Sequence, residues 1–117
     1  MSKIRCVYFV TDENRIPVKD FIDSLDFRTQ QKFFTAVERL EEFGKALCEP
    51  HMKHLGEDIY ELRFSGIEGV VGILHFFYWN DKAVLTNGFV KKTRKTPLQE
   101  IQKAQERREI YLSRKDG

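Results

Sequence analysis

Two cysteines, three histidines and three prolines among 117 residues leave little room for several protein classes. Cys6 and Cys48 offer neither a disulfide framework nor a metal-ligand spacing. Cys6 falls in an apolar strand pattern and reads as a core residue of a protein kept in a reducing compartment. His51 and His54 stand three apart, but no carboxylate or cysteine pattern completes a metal site, so no metal and no cofactor are expected. No Gly-x-Ser-x-Gly and no glycine-rich phosphate loop occur among the seven glycines. No apolar run approaches the ~20 residues that span a bilayer. The opening Met1-Ser2-Lys3-Ile4-Arg5-Cys6 lacks a signal-peptide apolar core. The expectation is a cytoplasmic protein with no membrane partner, without internal repeats or low-complexity segments.

What is present is the make-up of a globular domain, with 41% hydrophobic and 32% charged residues. Residues 1–117 are expected to form one domain with a core that needs no staples. The net charge of +2 is unevenly spread. Residues 91–117 carry nine Lys or Arg against four Asp or Glu, whereas residues 1–90 carry eleven against fourteen. Such asymmetry points to an anionic partner near the C-terminal part; the competing reading is an ordinary solvated face.

The apolar pattern predicts a β-α-α-β-β-β-α order of the α+β class. Ile4 to Thr11 reads as the first strand. Pro17 opens a short helix with Val18, Phe21, Ile22 and Leu25 at helical spacing. Asp26 is a candidate N-cap for a second helix whose stripe is Phe33, Val37 and Leu40, ended by Gly44. Lys45 to Gly56 reads as loop. Tyr60 to Phe64, Val70 to Trp79 and Ala83 to Val90 read as strands of an antiparallel meander, with a turn at Asn80-Asp81-Lys82. Thr96 as N-cap, Pro97 at N1 and Gln99 at N3 predict the start of a C-terminal helix. The helical hairpin 17–43 is expected to back the sheet.

The chemistry is cationic. The last strand ends on Lys91, Lys92, Arg94 and Lys95. Alternation in Tyr60-Glu61-Leu62-Arg63-Phe64 separates Glu61 and Arg63 from the apolar face. An arginine on an inner strand either pairs with a carboxylate such as Glu61 or faces a cleft. If the cleft also receives Lys91 and Lys92, the cations suit a phosphodiester, because fixed donors stabilise charge developing on phosphate oxygens. In RNA the neighbouring 2′-hydroxyl supplies a nucleophile. His75, mid-strand, reads first as a satisfied core histidine; an RNA contact is the competing reading.

The pieces Lys53-x-Leu55, Tyr60-Glu61-Leu62-Arg63, Gly69 to Phe77, Gly88-Phe89-Val90-Lys91-Lys92-Thr93 and Lys95-Thr96-Pro97, followed by Glu100 and Ala104, resemble the RelE/ParE toxin superfamily. The nearest branch is the HigB-like one related to phage-derived host-inhibition proteins. The resemblance spans nearly the whole chain. It implies a RelE-like domain with a curved antiparallel sheet. It also implies a metal-independent endonuclease that cleaves mRNA on the ribosome, and a helix-turn-helix, HigA-like antitoxin as partner. Residue by residue, Arg63, Lys91 and Lys92 match the catalytic cations, and Lys53 a basic residue on the preceding loop; Arg94, Lys95 and His75 are further RNA-binding candidates.

One position departs from the pattern. The family commonly opens its central strand with an aromatic–Arg pair, where this chain has Val71-Gly72. The resemblance assigns that arginine to the scissile phosphate, so Gly72 implies a weak nuclease. Three accounts stay open: a detoxified clone, a naturally weakened toxin, or a variant using His75 or Arg94 instead. Gly72→Arg is expected to restore cleavage. The alternatives to the nuclease are a non-catalytic RNA- or ribosome-binding domain and a ParE-like inhibitor of DNA gyrase.

Overall fold

The computed structural model describes residues 3–79 and 81–116. Met1, Ser2 and Asn80, from the N-terminal stretch and the turn discussed above, lie outside the described residues. The elements run β1 (Arg5–Tyr8), α1 (Pro17–Asp23), α2 (Phe27–Phe43), a 3₁₀ turn (Gly44–Ala46), β2 (Met52–Gly56), β3 (Ile59–Gly66), β4 (Gly69–Tyr78), β5 (Lys82–Lys91) and α3 (Leu98–Asp116). The fold is a mixed α+β domain with a five-stranded sheet in the order β1-β5-β4-β3-β2.

The expected meander of β3, β4 and β5 forms, antiparallel throughout. β1 joins its edge in parallel to β5, with Cys6 opposite Ala83 and Tyr8 opposite Leu85. A parallel neighbour needs a long crossover, and the chain between β1 and β5 supplies one. The loop expected over 45–56 is corrected: it contains β2, which pairs with β3. β2 was hidden because it is an edge strand, buried chiefly at Met52 and irregular between His54 and Gly56. Edge strands carry polar side chains and bulges and so lose the alternation that betrays inner strands.

Both faces of the sheet are covered. On one, α1 and α2 press Val18, Ile22, Phe33, Ala36 and Leu40 onto Leu62, Val71, Ile73 and Leu85. Phe33 and Leu40 are buried, as their helical spacing demands, and each such side chain contributes roughly 1.5–3 kcal/mol. On the other face, Ala104 of α3, with Ile101 and Tyr111 beside it, packs over Phe9, Leu74, Phe76, Val84 and Phe89.

The helix ends are held by specific groups. Asp26 caps α2, its side chain accepting from the Arg28 amide at 2.9 Å. Gly44 ends the helix with φ +54°, a left-handed conformation that glycine tolerates. Thr96 does not cap α3: its hydroxyl is spent on Glu61, and the first turn closes on the Pro97 carbonyl instead.

The arginines of α3 are largely occupied in docking it. Arg114 donates to the Val10 carbonyl and Asp12, Arg107 donates to the Thr86 carbonyl, and Arg108 pairs with Asp58. Arg107 and Arg114 also lie over the Phe9 ring. Much of the C-terminal positive charge is therefore structural. No helix among the described residues is long and apolar enough to cross a membrane.

Candidate functional site

The face of the sheet that carries Glu61 and Arg63 also carries Gly72 and Phe89, because Arg63 opposes Gly72 and Gly72 opposes Phe89 across the ladder. Lys53 opposes Glu61 from β2, and Lys91 opposes Val70. Period-two alternation thus delivers these residues, from four strands, to one end of one face.

Glu61 is the hub. It is fully buried, and it accepts from Arg63 Nε at 2.6 Å, Lys91 Nζ at 3.0 Å and Thr96 Oγ1 at 2.7 Å. Burial pushes its carboxyl up, but the hydrogen bonds from Arg63, Thr96 and Lys91 outweigh it and hold the pKa below the usual carboxylate value. Glu61 ties β3, the end of β5 and the segment entering α3 into one unit.

Arg63 meets both conditions set for it from its position: it pairs with Glu61 and still faces a cleft. That cleft, about 710 Å³, is lined by Lys53, Arg63, Lys92 and Arg94, with Glu49, Val70, Lys91 and Thr93. The Lys91 side chain is only 4% exposed, so its charge is committed to Glu61. Lys92 and Arg94 are exposed. Lys95 is exposed beside the cleft without lining it.

Two candidates change meaning. His75 is completely buried, on the opposite face, between Tyr60 and Phe77. Among the described residues neither ring nitrogen finds a hydrogen-bond partner, and burial pushes its pKa down to about 4. It is a neutral core residue and offers nothing to RNA. Gly72 lines neither this cleft nor its neighbour. A Cβ at 72 would lie 2.7 Å from Glu61 Oε2 and 3.0 Å from Phe89 Cζ. Position 72 is therefore not an open mouth awaiting a guanidinium: any side chain there must first move Glu61.

A second cleft of about 680 Å³ adjoins the first through Arg63 and Val70 and brings in Lys32, Arg39 and His51. Arg39 Nη1 lies 3.2 Å from His51 Nδ1. Lys32 and Arg39 were not singled out as site candidates from the sequence, and His51 was weighed only as a metal ligand; the signal for the two cations was the spacing of Lys32, Thr35 and Arg39 along one face of α2. Among the described residues no three His, Cys, Asp or Glu side chains cluster in a way that could hold a metal ion.

A mixed α+β domain with cations converging on one end of its sheet is the class these features define. The chain matches the family described as Phage derived protein Gp49-like (DUF891) over residues 20–109, and it belongs to that family. This is a phage-derived, RelE/toxin-like family. No match was found among curated proteins.

Proposed function

We propose that this protein is the toxin of a toxin–antitoxin pair, a HigB-like mRNA endonuclease that acts in the cytoplasm on ribosome-bound message. The observation that carries the proposal is the cleft of Lys53, Arg63, Lys92 and Arg94, in a chain of a toxin-like family. Arg63 supplies a planar donor held in place by Glu61, and a preorganised donor stabilises phosphate charge without reorganisation. Lys53, Lys92 and Arg94 attract the backbone. In this scheme the RNA's own 2′-hydroxyl attacks the adjacent phosphorus, and the P–O2′ bond forms as the P–O5′ bond breaks. The hydroxyl proton passes to water, and the leaving 5′-oxygen takes a proton from water, giving a 2′,3′-cyclic phosphate and a 5′-hydroxyl with no metal step. A helix-turn-helix antitoxin would neutralise the toxin.

Mapping mRNA ends after induction tests the proposal: new ends within translated frames, lost in Arg63→Ala, are expected. A second reading, a ribosome- or RNA-binding protein without cleavage, is favoured by one feature. Lys91 is committed to Glu61, and position 72 supplies no cation. Growth inhibition without new mRNA ends would select it.

A further inference from the structure

The second cleft is built differently from the first. Lys32, Thr35 and Arg39 reach it from α2, Arg63 and Phe64 from β3, and Val70 from β4. Among the described residues no acidic side chain lines it, whereas Glu49 stands in the first. Neither Lys32 nor Arg39 forms an ion pair among the described residues. Among the described residues the polar side-chain contact of Arg39 is His51 Nδ1, at 3.2 Å, and no carboxylate compensates its charge. Unpaired cations gathered in a concavity raise the local concentration of anions. The walls between them are apolar: Phe64 is half-buried and Val70 is 42% exposed.

Cations set around an apolar wall match the chemistry of a nucleotide, with phosphate on the charged groups and base on the apolar surface. Arg63 and Val70 belong to both clefts, so one strand can run from the first into the second without leaving positive charge. We infer that the cleft of Lys32, Arg39 and Phe64 is a second subsite for single-stranded RNA, holding the nucleotide next to the one in the basic cleft. This rests on the RNA reading above. It assigns α2, otherwise the cover of the core, a part in substrate binding.

The test is fluorescence anisotropy with labelled oligouridylates, a trinucleotide and a longer strand, over a salt series. The proteins are the wild type, Lys32→Ala/Arg39→Ala, and Lys32→Gln/Arg39→Gln, which keeps part of the aliphatic stems. Circular dichroism checks that each is folded. Both variants should bind the trinucleotide and the longer strand more weakly than the wild type, because a trinucleotide already reaches the subsite beside the basic cleft. On the longer strand their salt slope should fall by about 1.4, roughly 0.7 for each lost phosphate contact. Equal slopes and affinities for all three proteins on both probes would overturn the inference. So would a wild type that binds no oligouridylate, or one that binds hexaglutamate more tightly than RNA at the same salt, which would make the cleft a site for an acidic peptide. The nuclease reading is judged separately by end mapping. Cleavage with unchanged binding removes only the subsite; weakened binding by the variants without cleavage by the wild type removes only the nuclease.

Discussion

Lys91 Nζ lies 3.0 Å from Glu61 Oε1 although their strands are not neighbours. β4 runs between β5 and β3, and strands in a sheet are about 4.8 Å apart, so the contact spans roughly 10 Å of backbone. On that face the β4 residue beneath the contact is Gly72, flanked in the ladder by Arg63 and Phe89. The absent side chain is the space in which the Glu61 carboxylate sits.

Removing Glu61 should leave Lys91 buried without an anion. Glu61→Ala is expected to cost about 3–5 kcal/mol, the usual penalty for breaking a buried pair from one side. Glu61→Leu combined with Lys91→Met should cost much less, since neither charge remains. Urea unfolding of the single and double variants measures this, and equal losses would show that the pair is not a unit.

At position 72 the expected effects separate by side chain. Gly72→Ala forces its Cβ against a carboxylate pinned by three donors, an overpacking that costs about 1–3 kcal/mol. Gly72→Arg offers Glu61 a new cation and releases Lys91 toward the cleft. Primer extension should then show mRNA cleavage raised by roughly 100- to 1000-fold, the worth of one preorganised donor. Unchanged cleavage by a folded Gly72→Arg protein would place the active site elsewhere.

The buried His75 predicts a pH dependence of stability. Its folded pKa, about 4, lies below the ordinary value of 6.5, so the unfolded chain binds the proton more readily. The stabilising difference is therefore complete above pH 6.5 and lost as the pH falls toward 4, amounting to about 3 kcal/mol. His75→Phe should flatten the curve over that window. Urea midpoints with the same pH slope in both proteins would contradict a buried neutral imidazole.

Binding should depend on the exposed cations and not on Lys91. Combining Lys53→Ala, Lys92→Ala and Arg94→Ala should lower the salt slope of RNA or ribosome binding by about 2, near 0.7 per contact on a single strand. Lys91→Met should leave the slope nearly unchanged while lowering stability. Filter binding across a salt series distinguishes the two, and a slope that follows Lys91 would mean its charge reaches the ligand.

Period and punctuation in the sequence were enough to specify the helices and the inner strands. Phe33 and Leu40 had to face a core, Asp26 had to start a helix and Gly44 to end one, because these depend on local spacing and backbone conformation. Alternation alone put Glu61 and Arg63 on one face, and their pairing follows from the cost of burying either charge unmatched. Residue order could not supply the cross-strand register. Register decides that Lys53 stands opposite Glu61, that Lys91 spends its charge over Gly72, and that Thr96 donates to a carboxylate instead of capping a helix. It also sends His75 into the core, away from the cations. Those outcomes depend on contacts between residues from eight to thirty-five positions apart, on different elements, where local pattern carries no information and only the packed sheet brings the groups within reach.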